Sequence, residues 1–206
     1  MKRLVVVFAV VALGCLVSKS EHFYALSDQR AAAPGAPVAR FPGTVLVSPV
    51  QIPELVDRPQ LVVREADGRL AVLEQQRWAE PLDAGIGGLL AKQLSRRLVG
   101  ADVSATEDIL RRPDLRVAVD VQAFEIRADQ GITLEALWTV TGANGVLGRG
   151  KTRAVKPANG EGYDAVAAAA SLAVDAVSAD VARAIVALTA QRPVAGGGPQ
   201  TDAGIR

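Results

Sequence analysis

The sequence predicts an α+β domain: a mostly antiparallel sheet covered on one face by two long helices, preceded by a signal peptide and a flexible tether. Three observations predict it. Short apolar runs between positions 45 and 74 are separated by Pro and Gly breaks, as strands are. Two stretches, 82–98 and 162–190, carry apolar residues three and four apart, as amphipathic helices do. Longer alternating runs between 115 and 155 are joined by turn-forming residues, which describes an antiparallel meander. Strands then a helix, followed by more strands and a last helix, is an α+β order. The 206 residues suit one domain with appendages, and half of them are hydrophobic. Ala and Val dominate that half and aromatics make up 4%, which favours tight packing over wide aromatic pockets.

Lys2 and Arg3 precede an apolar run from Leu4 to Leu13, too short for a span of about 20 residues but suited to a secretory signal over 1–14. The run ends Ala12-Leu13-Gly14-Cys15, which resembles the bacterial lipobox with its first two characters exchanged. Cys15 is the single cysteine, so it forms no internal disulfide and no CxxC site, and we read it as the lipidation site. Two or more acyl chains, each contributing about 0.8 kcal/mol per buried methylene, would anchor the chain durably. Leu16 follows, where lipoproteins of enterobacterial type retained at the inner membrane carry Asp. Residues 15–43 read as the lipidated N-terminus and tether, rich in Ala, Pro and Gly, with Tyr24 and Leu26 able to dock as a short first strand. His22, the single histidine, reads as solvated and has no partner cluster for metal or base chemistry.

The folded domain is expected over 44–190. Val45, Val47 and Pro49 alternate with Leu46, Ser48 and Val50, and Pro49 and Pro53 place an edge or a bulge at the strand end. Leu61–Glu65 and Leu70–Glu74 flank Asp67-Gly68, a hairpin signal. Pro81 suits the first helical position, with Glu80 and Asp83 near the positive helix end. Leu82, Ile86, Leu89, Leu90, Leu94 and Leu98 mark the buried face of a helix expected to end near Gly100. Gly85, Gly87 and Gly88 lie inside that helix, and no Gly-Lys-Ser/Thr follows them, so they are no phosphate loop. Residues 102–106 suit a short strand. Asp129-Gln130-Gly131 and Asn144-Gly145 close the meander. The last helix presents Val166, Ala170, Ala173, Val174, Val177, Val181, Ile185 and Leu188 to a core, and residues 191–206 have the composition of a disordered tail.

Net charge is +1, and without Lys2 and Arg3 the chain carries 21 basic against 22 acidic residues, so no electrostatic footprint for nucleic acid is present. Ser48, Ser95 and Ser171 lack a nucleophile elbow, and the lone histidine lies in the tether, so no catalytic constellation is visible. No metal site or cofactor is expected beyond the lipid on Cys15. The distinctive residues are instead Leu55, Asp57, Arg58 and Pro59, read as a partner or oligomer interface, and Pro49, Pro53, Trp78, Glu80 and Pro81, read as a structural motif that fixes the chain path. Trp78 and Trp138 read as core residues.

These residues carry a resemblance. Tyr24-x-Leu26, Val47-x-Pro49-Val50-x-Ile52-Pro53, Leu55-x-Asp57-Arg58-Pro59-Gln60-Leu61-Val62, Arg77-Trp78-Ala79-Glu80-Pro81-Leu82 and Gly162-Tyr163-Asp164 resemble the PqiC (YmbA-like) family of ABC-type transport auxiliary lipoproteins. The resemblance runs from Cys15 to about Leu188. It implies an outer-membrane-anchored periplasmic lipoprotein, not an enzyme, that docks an MCE-domain lipid-transport protein and forms a homo-oligomer. A periplasmic lipid-binding carrier and a lipoprotein regulating cell-wall synthesis are the alternatives.

Overall fold

In the computed structural model the described residues are 20–28, 39–107, 112–127 and 130–190. Cys15, Asp129 and the tail from Gln191 lie outside them. Ten strands and two helices follow in order: β1 (His22–Tyr24), β2 (Ala39–Arg40), β3 (Thr44–Gln51), β4 (Gln60–Arg64), β5 (Leu70–Trp78), α1 (Leu82–Arg97), β6 (Leu98–Val99), β7 (Asp102–Ser104), β8 (Leu115–Arg127), β9 (Gly131–Gly142), β10 (Gly145–Lys156) and α2 (Gly162–Ala190). The α+β class holds, and the sheet is mixed. Its longest pairings, β8 with β9 and β9 with β10, are antiparallel, as is the β4–β5 hairpin, whereas β1–β5, β4–β8, β3–β8 and β3–β7 are parallel.

β8 organises the sheet. Its 13 residues are long enough to pair twice along one edge: Leu115–Asp120 with β3, and Ile126–Arg127 with β4. The other edge carries β9 throughout. The segment 52–59 leaves the sheet in the fork between β3 and β4. A register shift between Val47 and Val50 interrupts the β3–β8 pairing before it resumes to Gln51, so the predicted bulge is present. It changes which residue faces inward: Val50 packs against the core and Pro49 is exposed, where strict alternation predicted the reverse.

Both helices cover one face. The leucines of α1 and the Ala/Val side of α2 form one core with Val45, Val47, Leu61, Val63, Leu115, Val117, Leu134 and Val140. Burial of these side chains supplies the main driving force. α2 is long and apolar enough to cross a membrane by composition, yet 67% of its most apolar window is buried within the domain, as a core helix requires. Gly87 on α1 packs beside Val50, with a Cβ position 3.4 Å from Val50 Cγ2. Trp138 is 8% exposed and its ring covers Gly150. The indole N–H donates to Thr152 Oγ1 (3.1 Å), whose hydroxyl donates to Asp180 on α2 (2.6 Å), so the polar atoms of Trp138 and Thr152 are satisfied.

β5 runs on to Trp78 rather than ending at Glu74, and both ends of α1 differ from expectation. Pro81 is the N-cap rather than the first helical residue, and α1 ends at Arg97 rather than near Gly100. Leu98 is fully buried and already extended, because Leu98–Val99 pairs with Ala39–Arg40. Part of the expected tether is also built into the fold, since β1 and β2 fall within 15–43.

Asp114 ties the starts of β3 and β8. Thr44 donates its backbone N–H (2.7 Å) and its hydroxyl (2.9 Å) to Asp114 Oδ2. The Thr44 backbone bond, then its hydroxyl bond, hold the carboxyl below the usual aspartate range. A depressed folded pKa stabilises above the ordinary value and loses that contribution as pH falls through the folded one. We therefore expect Asp114→Ala to melt below the parent at neutral pH, with the gap closing below about pH 4. Melting curves of both proteins across that range check this, and a pH-independent gap rejects it.

Candidate functional site

Segment 52–59 returns from the fork as a tight turn. Val56 and Asp57 donate their N–H groups to Pro53 O (3.0 and 3.2 Å), and Arg58 donates to Val56 O (2.9 Å). Val56 is buried, which pins the turn and leaves Asp57, Arg58 and Pro59 exposed. The far end of β5 meets this turn through Trp78 N–H, which donates to Pro59 O (2.7 Å). Trp78 itself is 6% exposed, edge-on to Phe124 with ring centroids 6.0 Å apart. It is the core residue expected, and it fixes the chain direction on leaving the sheet. Ala79 N–H then donates to Tyr24 O (2.8 Å), and Pro81 O accepts from Gly85 N–H (2.9 Å) to start α1.

These bonds bring the two distinctive stretches together. Asp57–Pro59 and Trp78–Leu82 line one shallow depression of about 370 Å³. Asp57, Arg58 and Glu80 are exposed on it, and none of their side chains makes a hydrogen bond or ion pair among the described residues. Asp57 and Arg58 therefore do not neutralise each other. Glu80 lies over the start of α1, its Oε1 3.4 Å from where a Cβ on Gly85 would sit. There it complements the helix dipole, although no side chain caps the N-terminus. Two unpaired carboxylates and a guanidinium between rigid prolines suit recognition of a partner with matching charges.

The other predicted interface residue lies nearby. Leu55, 44% exposed, lines a separate groove of about 170 Å³ with Pro53, Val62 and Leu70. Pro49 faces the open side of the sheet with Leu137 and Arg149. Among the described residues there is no group of three or more His, Cys, Asp or Glu able to hold a metal.

The N-terminal strap, residues 20–28, is the part that sequence reasoning under-read. Tyr24 donates its hydroxyl to Gln76 Oε1 (2.6 Å) and meets the Tyr163 ring edge-on at 6.3 Å. Burial, then the nearby Asp164 carboxylate, push the Tyr24 phenol up, so it remains a neutral donor. Ser27 N–H donates to Ser171 Oγ on α2 (3.0 Å). The Asp28 side chain is 4% exposed and held by Arg96, with Lys92 at 4.0 Å. The Tyr24-x-Leu26 pattern signalled the docked strand. Asp28 gave no local signal, because its partners lie 64 or more positions away. His22 sits exposed on β1.

This arrangement defines a class: a small α+β domain strapped to its own N-terminal segment. A crystal structure of an uncharacterized protein is similar, with TM-score 0.67 and 20% identity over 81% of this chain and 99% of that one. The crystal structure of XCC0632 from Xanthomonas campestris, of family DUF330, is similar at TM-score 0.62 and 20% identity, covering 82% of this chain and 98% of that one. At that identity both speak to the fold alone. The family comes from the sequence itself: residues 24–182 match the family model of the ABC-type transport auxiliary lipoprotein component, and the chain belongs to that family, as its PqiC-like residues implied. No curated protein matches the chain. Family membership makes the chain an auxiliary lipoprotein component of ABC-type transport, associated with a membrane.

Proposed function

We propose that this lipoprotein is anchored to the outer membrane through acylated Cys15 and acts, without catalysis of its own, as the docking component of an MCE-type intermembrane lipid transport system. The observation that carries the reading is the junction of Asp57–Pro59 with Trp78–Leu82. Two stretches about 20 positions apart converge on an exposed surface whose charges are left unpaired, on an otherwise ordinary fold. Unpaired rim charges set orientation and association rate, and buried apolar area at the contact sets its lifetime. A homo-oligomer would repeat this surface around an axis and present several copies to one transport tunnel.

A photoreactive residue at Ala79, read in fractionated membranes with and without Arg58→Glu, tests the reading. Capture of an MCE subunit from outer-membrane material is the expected result, and Arg58→Glu is expected to remove it. Stability should move by about 0.5 kcal/mol or less, because Arg58 is exposed and unpaired. Capture of a second copy alone moves the transport contact elsewhere on the surface. Capture of cell-wall enzymes overturns the reading.

A further inference from the structure

We propose that the hairpin end of the domain rests on the anchoring bilayer, with Leu70 and Val72 against the lipid, and that the β9–β10 turn points away from it. The inference deepens the reading above and rests on Cys15 being acylated.

Strand directions define two ends. β1 runs parallel to β5, with His22 opposite Gln76 and Tyr24 opposite Trp78. Followed backwards, the chain from His22 to Ser20 therefore heads towards Leu70 and the β4–β5 turn. β4 runs into that same turn and meets the last residues of β8, Val63 opposite Ile126. The meander places Ile132 and Lys156 at the same level. The first turn of α2 follows the end of β10. The opposite end carries the turn between Gly142 and Gly145, and the last turns of α2, where Leu188 lies over Gly148.

Length decides which end can face the anchor. The 12 residues of β10 separate the two ends by about 40 Å at ~3.3 Å per residue. The 29 residues of α2 give a similar length, about 43 Å. Only five residue steps join Cys15 to Ser20, and fully extended they reach at most about 18 Å. An acylated Cys15 with its chains in the bilayer cannot leave the β9–β10 turn on the same membrane surface. It holds the hairpin end close, so contact between that end and the lipid becomes intramolecular, at high effective concentration.

The side chains at that end suit the contact. Leu70 and Val72 on β5 are 43% and 40% exposed. Val62 and Arg64 are their cross-strand partners, so the two lie on one side of the hairpin, beside the groove that Leu55 and Val62 line. Arg69, in the turn itself, has its guanidinium held by Glu65 (3.3 Å) and Asp67 (2.7 Å), so the contact rests on the two apolar side chains and not on a free cation.

Acylation consumes the only native thiol, so an introduced cysteine is a unique label site. Full-length lipidated protein carrying Val72→Cys, Leu70→Cys or Val146→Cys would be labelled with an environment-sensitive fluorophore. It would then be bound to vesicles of phosphatidylethanolamine and phosphatidylglycerol containing nitroxide lipid. Val146, 52% exposed, reports the far turn. We expect several-fold stronger quenching at 70 and 72 than at 146. Flotation with the vesicles but equal or reversed quenching overturns this inference alone. Shielding at 72 that persists in a Cys15→Ser chain without vesicles assigns the patch to a second copy and overturns it too. Failure to float overturns the anchoring reading on which it rests.

Discussion

Gly131→Ala is expected to lower the unfolding free energy by about 3 kcal/mol or more, a large share of the roughly 5–15 kcal/mol that a domain of this kind has. Gly131 sits at φ +96, a conformation L side chains rarely adopt, at the β8–β9 turn. A Cβ there would lie 2.1 Å from Lys156 O and 2.5 Å from Ala158 N. Both are backbone atoms, so no side-chain rotation relieves the clash. The end of β10 and the chain leading to α2 would have to move, which disturbs one of the two longest pairings in the sheet. Gly88→Ala is the matched control. Nothing lies within 4 Å of a Cβ there, and it is an exposed helical position, so alanine is expected to raise stability by up to about 1 kcal/mol. Urea unfolding of both variants checks the pair. A Gly131→Ala midpoint equal to the parent's would show that the turn re-forms without strain and would reject the argument.

What was legible in the sequence follows from how local each signal is. Asp67-Gly68 and Asn144-Gly145 mark their turns because Gly68 and Gly145 occupy positive φ, at +89 and +108. The leucine spacing of α1 and the Ala/Val stripe of α2 were legible because a helical face repeats over a few residues. Strand partnership is not local. Nothing in residues 115–127 announces that one edge of β8 serves both β3 and β4, so the parallel pairings stayed hidden behind an antiparallel expectation. Pro49 marked a bulge, but only the register against Val117 and Val119 shows that Val50 takes the inward position. Leu98 belonged to the α1 stripe by spacing, yet it reaches the core from an extended residue.

The candidate site divides the same way. Asp57-Arg58-Pro59 and Trp78-Ala79-Glu80-Pro81 stood out because a generic loop does not need such residues in such an order. Their meeting follows from the hairpin, since the outer ends of two antiparallel strands lie side by side, but the sequence reading did not draw it. The bond from Trp78 N–H to Pro59 O makes that meeting definite. The strap was only half legible. Tyr24 and Leu26 alternate like a strand, whereas the hold of Arg96 on Asp28 joins residues that no periodicity relates.

The seam between the helices yields a prediction of two signs. Gln93 and Arg97 lie four apart on α1 and are buried, at 0% and 6% exposure. Arg97 donates from Nη2 to Asp175 on α2 at 2.8 Å. Among the described residues neither amide atom of Gln93 has a hydrogen-bond partner, nor have Arg97 Nε and Ser178 Oγ. Replacing one partner of a buried ion pair strands the other charge, whereas replacing an unpartnered polar group by an apolar one of its shape removes a desolvation cost. Arg97→Met is therefore expected to destabilise the domain by about 2–3 kcal/mol, below the full buried-pair value because water reaches the Asp175 side chain, 29% exposed. Gln93→Met, of similar volume, is expected to stabilise it by about 1 kcal/mol. Thermal and urea unfolding of both single variants and the double variant measure the signs and their coupling. The two sites are one helical turn apart, so additivity is not expected. A destabilised Gln93→Met would mean that the carboxamide is satisfied in solution, and the seam would then be a hydrogen-bonded network rather than a pair beside an orphan.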